Sequence, residues 1–255
     1  MVPDAMSDVT VELGDDHVAI VELHRPPNNF FDVALVAAIA DAYEELQAGP
    51  CRAIVLCAEG RHFCAGADLT TGTERTVGEL YGHALRLYEA ELPVVAAVSG
   101  GAIGGGLGLA LSADFRVASP ESRFAANFAR LGFHHGFGLT VTLPDAVGLQ
   151  AAAALLYTGR RIGGEEAHAI GLCDRLVATT DEIRAEAVAV AAELAAAAPL
   201  SVRAIRATMR LGLPARVRAA VEIERVEQDR LRRTEDFAEG VAASGERREP
   251  HFKGS

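Results

Sequence analysis

"AVSGGAIGGGLGLALSADFRVAS", residues 97–119, decides how this chain is read. Its inner nonapeptide, residues 100–108, holds six glycines. A glycine costs about 0.5–1 kcal/mol against alanine inside a regular element, so a run of them marks main chain that something must approach closely. Before the run, "PVVAAV" (93–98) reads as a buried strand. After it, "LGLAL" (107–111) opens a helix whose N-terminus would present free N–H groups and the positive end of a helix dipole. The stretch from Leu92 to Ala113 is uncharged over 22 residues, long enough to cross a bilayer. Six glycines, two serines and Pro93 argue instead for a buried strand, a loop and a helix start, with no membrane insertion.

Working outward, "VTVEL" (9–13) and "HVAIVEL" (17–23) flank "GDD" as a hairpin would. Asp32 stands at an N-cap position, followed at helical spacing by Val36, Ile39, Ala40, Tyr43 and Leu46. "RAIVLCAE" (52–59) and "FRVAS" (115–119) read as further strands, and residues 79–91 as a helix stopped by Pro93. Strands alternating with helices predict an α/β core. Residues 182–198 and 215–243 carry helical patterns with almost no strand signal, which sets a core over 1–197 apart from a helical region over 198–255.

At 255 residues and 50% apolar, the chain can bury a substantial core. A net charge of −11, with Lys253 the only lysine, makes a nucleic-acid partner unexpected. The short basic run of Arg230, Arg232 and Arg233 reads as a solvated helix face. Cys51, Cys57, Cys64 and Cys173 have no CxxC spacing, so reduced, buried thiols and no metal site are expected. The N-terminal residues carry acids where a secretory signal carries bases, and the expected location is cytoplasmic.

Five ordered motifs resemble the enoyl-CoA hydratase/isomerase (crotonase) superfamily across nearly the whole chain. They are "RPPNNFFD" (25–32), "GRHFCAGADL" (60–69), the glycine-rich stretch at 97–119, "LYTGRRIGGEEAHAIGLCDRLV" (156–177) and "TEDFAEGVAASGERREPHFKG" (234–254). The resemblance implies the crotonase (ClpP-like) fold, with ββα units in two roughly perpendicular sheets and a helical C-terminal trimerisation region. It implies an acyl-CoA substrate, no cofactor beyond the coenzyme A of that substrate, and a homotrimer or dimer of trimers. It also implies an oxyanion hole made by the backbone N–H groups of Ala67 and Gly105. Gly104, Ala65, Asp68 and Leu69 would line the coenzyme A loop, and Arg25 and Arg61 would sit near its phosphates.

The chain departs from classical hydratases at two positions. Those enzymes need two carboxylates, one to take a proton from water and one to deliver a proton to the α-carbon. The corresponding positions here are Gly108 and Phe128. His134 and His135 are the replacement acid/base candidates, because imidazole titrates near neutrality. Asn127 and Arg130 are candidates for orienting a polar acyl group. His62 is expected at the surface near the coenzyme A entrance, and His83 on a solvated helix face. Two other readings stay open: a non-catalytic acyl-CoA-binding or scaffold protein of the same fold, and a serine hydrolase using Ser99 of "AVSGG" as a nucleophile elbow.

Overall fold

The computed structural model describes residues 8–68 and 77–255, so Leu69 lies outside the described residues. In chain order the described strands are β1 (Val9–Leu13), β2 (Val18–Leu23), β3 (Ala53–Ala58), β4 (Val94–Ala97), β5 (Gly101–Ile103), β6 (Phe115–Ala118), β7 (Arg123–Ala125), β8 (Arg161–Gly163) and β9 (Arg175–Leu176). The helices are α1 (Val33–Gln47), α2 (Val77–Glu89), α3 (Gly105–Ser112), α4 (Leu139–Val147), α5 (Leu149–Thr158), α6 (Gly164–Ala169), α7 (Ile183–Ala196), α8 (Pro199–Met209), α9 (Leu213–Leu231) and α10 (Glu235–Glu246). The molecule is mixed α/β.

The larger sheet has the order β1-β2-β3-β4-β6-β9, with β1 antiparallel to β2 and every other neighbour parallel. Parallel strands covered on both faces read as continuous apolar runs, and β3 shows why. Its Ile54 and Leu56 join the core shared with α1 and α2, whereas Ala53, Val55 and Cys57 face a second cluster built on α7. Small residues on α7, Ala187, Ala191 and Ala195, let that helix lie close on the sheet. Asp32 caps α1 by accepting from Leu35 N at 2.9 Å, and the five apolar positions named above for α1 are all buried. All four cysteines are free and buried.

Two expectations needed correction. The glycine-rich run is not wholly loop: Gly101–Ile103 forms β5, which joins β7 and β8 in a second sheet of three short strands. The helix expected over 215–243 breaks between Leu231 and Glu235, where Thr234 accepts from Phe237 N at 3.1 Å and starts α10. No single helix among the described residues is long and apolar enough to cross a membrane.

A buried charge cluster joins α8 to the sheet. Asp114 accepts from Val94 N and Arg206 Nε at 2.9 Å and from Arg210 at 2.7 Å. Burial pushes its carboxyl pKa up, but Arg206 and Arg210 outweigh burial and hold it below the usual value. A carboxyl depressed on folding adds stability above its unfolded pKa, near 3.9, and loses it as pH falls through the folded value. Urea midpoints of the wild type should therefore fall below about pH 4, and the gap between wild type and Asp114→Asn should narrow there. A gap that widens on acidification would contradict this assignment.

Candidate active site

Three loops converge beside the start of α3. Asn29 is fully buried, accepts from Arg25 N at 2.9 Å, and donates to the carbonyls of Glu59 at 2.7 Å and His62 at 2.6 Å. It thereby ties the "RPPNNFFD" loop to the "GRHF" loop. The next residues, 63–67, run between that first loop and β5: Ala65 N donates to Asn28 O, Phe31 N to Gly66 O, Cys64 N to Gly101 O and Ile103 N to Cys64 O. Gly104, at φ +57°, turns the chain from β5 into α3. A β-carbon on Gly106 would meet Cys64 O at 2.1 Å, and one on Gly66 would meet Ile103 O at 2.9 Å. Bare backbone at these positions lets the two loops close on each other.

Ala67 and Gly105 both line one cavity of about 120 Å³. Gly105 is the first residue of α3, where an N–H has no partner inside the helix. Among the described residues neither amide has an intramolecular acceptor. Gly104, Ala65 and Asn127 share the wall, with Phe31, Leu80, Phe128, Leu131, Phe133 and Phe137 supplying most of its apolar surface. The C-terminal helices contribute Gln228, Arg232 and Phe237.

At the two positions where the resemblance expects carboxylates, Gly108 and Phe128, phenylalanine rings occupy the space. Gly108 is buried in α3, and a β-carbon there would come within 2.6 Å of Phe137 Cβ. Phe128 itself faces the cavity. Asp32 is the only carboxylate on the wall among the described residues, and it is paired with Arg25 at 2.8 Å. Burial raises its pKa, but the Leu35 amide and Arg25 together bring it below the ordinary value.

His134 and His135 are not brought to the cavity wall; the wall at this point is formed by Gly136 and Phe137. The two imidazoles stack on each other at 4.1 Å, and His135 lies behind Phe128 with ring centroids 6.4 Å apart. Their proton positions follow from their neighbours. The His135 carbonyl can only accept, so His134 Nδ1–H donates to it at 2.8 Å. Thr140 Oγ1 gives its proton to the fully buried Glu224 at 2.7 Å, which leaves it to accept from His135 Nε2–H at 2.8 Å.

Burial and the neighbouring His134 lower His135 to about 4, so it is neutral at pH 7 and its 3.9 Å approach to Glu224 is not an ion pair. A histidine depressed on folding leaves stability full above its unfolded pKa, near 6.5, and erodes it as pH falls from there toward 4. Denaturant midpoints recorded between pH 7 and 4 should show this slope, and His135→Gln should flatten it. An unchanged slope in that variant would assign the effect to other groups.

The remaining sequence candidates divide. Arg61 is exposed, and Arg25 is held between Asp8 at 2.7 Å and Asp32. Asp68 is half-buried at the end of the described loop. Arg130 points away and donates to Thr158 O at 3.1 Å. Ser99 is followed by β5 and not by a helix, so the nucleophile elbow is absent. His62 is partly tucked in and accepts from Gly101 N through Nδ1 at 3.0 Å, and His83 sits 3.1 Å from Arg86. Arg232 does not belong to a solvated face: its Nε is buried, and its guanidinium lies 5.4 Å from the centroid of Phe133.

Glu224 and Gln228 were not singled out by sequence reasoning, and Arg232 only as part of a solvated face. The available signal was their spacing. They continue, at four-residue intervals, the buried stripe of Val217, Ala220 and Val221 on α9.

Comparison with known proteins agrees with this architecture. The family model described as enoyl-CoA hydratase/isomerase matches residues 14–255. A Rhodobacter capsulatus protein named a probable enoyl-CoA hydratase is 35% identical over 248 residues, covering 93% of this chain and 95% of its own. The crystal structure of an enoyl-CoA hydratase/isomerase from Pseudoalteromonas atlantica superposes with a TM-score of 0.86 at 33% identity, covering 96% of this chain and all of that one. An enoyl-CoA hydratase from Mycobacterium avium subsp. paratuberculosis also reaches 0.86, at 28% identity over 97% of this chain and 99% of its own. With its crotonase fold and a family match that runs to the last residue, the chain belongs to the enoyl-CoA hydratase/isomerase family.

Proposed function

We propose that this protein processes acyl-CoA thioesters through an enolate whose oxygen is held by the N–H groups of Ala67 and Gly105. The observation that carries this reading is the opening of two unpaired amides onto one apolar cavity, one of them at the N-terminus of α3. Fixed dipoles in a water-poor site stabilise charge that develops on the oxygen without having to reorganise. The helix dipole of α3 adds to them. Arg61 remains available for the coenzyme A phosphates, whereas Arg25 is engaged by Asp8 and Asp32.

Isomerisation, thioester hydrolysis or another enolate reaction fits this cavity better than hydration, because Gly108 and Phe128 leave water without a carboxylate pair. A proton-transfer role for either histidine would act from behind Phe128. Each neutral imidazole keeps one unprotonated nitrogen, Nε2 of His134 and Nδ1 of His135. The absence of an unpaired carboxylate from the described wall favours one second reading, an acyl-CoA-binding protein that performs no chemistry.

Incubation in heavy water with saturated and 2-enoyl CoA thioesters, followed by mass spectrometry, separates the two. Deuterium at the α-carbon, added water or released coenzyme A supports the enolate reading. Binding without any of these supports the second, and no binding removes both.

A homotrimer or dimer of trimers is the proposed assembly. Its support is the apolar surface left on α8, α9 and the turn between them, where Leu200, Met209 and Leu211 are each more than 80% exposed.

A further inference from the structure

We propose that the acyl group taken by this cavity ends in a carboxylate and that Arg232 binds it; the inference rests on the cavity being a thioester site. Arg232 closes the C-terminal end of α9 and lines the cavity. Its Nε is buried with no hydrogen-bond partner, and among the described residues no carboxylate lies within ion-pair distance of its guanidinium. The other charged residue on the described wall, Asp32, is already neutralised by Arg25.

Gln228, the polar neighbour on α9, is committed elsewhere. It accepts from the Tyr81 hydroxyl at 3.1 Å and donates to the His134 carbonyl at 3.0 Å. The guanidinium lies over Phe133, which is itself wedged between Phe128 at 5.3 Å and Phe237 at 5.2 Å. An otherwise apolar wall is a poor medium for an isolated cation and a strong one for an ion pair. A guanidinium fork matches the two oxygens of a carboxylate, which makes an acyl carboxylate the complementary group.

The test compares binding of saturated CoA thioesters in pairs of equal chain length, one ω-carboxylated and one methyl-ended. The pairs are succinyl and butanoyl, glutaryl and pentanoyl, and adipoyl and hexanoyl, titrated calorimetrically into the full-length protein. At the length that reaches Arg232, the carboxylated member should bind at least about tenfold more tightly. Arg232→Gln should bring that ratio near one, and Arg232→Glu should invert it.

A wild-type ratio near one at every length overturns the inference while leaving the thioester reading in place, and it needs no variant to fold. A ratio that survives in Arg232→Gln overturns it as well. Equal weakening of both members by Arg232→Gln would assign the guanidinium to the coenzyme A moiety instead. Failure of all six thioesters to bind removes the thioester reading and the inference with it.

Discussion

Replacing Gly105 by proline in a Phe31→Ala background is expected to lower turnover about 100- to 1000-fold relative to Phe31→Ala alone. Proline deletes one N–H and nothing else from the backbone ladder, because the first helical position has no intrahelical acceptor to lose. The loss of one preorganised oxyanion donor costs about 2.7–4 kcal/mol in the transition state. The background substitution is needed because a β-carbon on Gly105 would sit 2.4 Å from Phe31 Cζ, so the single variant would mix a steric effect with an electronic one. Turnover is measured as α-proton exchange or product release, with thermal unfolding to confirm that α3 is intact. Equal rates in the two proteins, both folded, would take Gly105 out of the site.

Glu224→Ala should destabilise the protein by about 1–3 kcal/mol, the cost of leaving a buried hydrogen-bonding group unsatisfied. Its buried carboxylate accepts from Gly138 N at 2.9 Å, Thr140 N at 3.0 Å and Thr140 Oγ1 at 2.7 Å. Removing it strands the buried Gly138 N–H at the N-terminus of α4, where negative charge also complements the helix dipole, while the exposed Thr140 can turn to water. The melting temperature should drop by roughly 2–4 °C for each kcal/mol lost. Glu224→Gln, which keeps one acceptor oxygen, should recover part of the loss. An unchanged melting temperature in Glu224→Ala would mean that water replaces the carboxylate without cost. Because this contact positions the segment that carries Gly136 and Phe137 to the cavity wall, weaker thioester binding should accompany the lost stability.

Much of the fold was legible because its signals are local. The cap at Asp32 with the α1 stripe, the hairpin around "GDD" and the continuous apolar runs of β3 and β4 each follow from spacing alone. The second sheet was expected from the family resemblance but not legible in the local pattern, since β5, β7 and β8 have three residues each, too few to show a period. Within the site, the glycine run pointed to the approach of main chain, and residues 63–67 do close against β5 and the start of α3.

The histidine pair shows where reading by chain position stops. His134 and His135 belong to the segment that builds the cavity, but Gln228 and Thr140 draw them behind it. Thr140 lies five residues from His135, at the start of α4, but Gln228, which holds the His134 carbonyl, arrives from α9, 94 residues away. The same holds for Arg232, whose charge suggested solvent until α9 and α10 were packed against Phe133.

The claim that two backbone amides hold the thioester oxygen is tested most directly by a crystal structure with a saturated acyl-CoA bound. The carbonyl oxygen should lie within about 2.7–3.1 Å of both Ala67 N and Gly105 N. An oxygen that reaches neither amide, or that points toward Arg232 while the amides face solvent, would contradict the account.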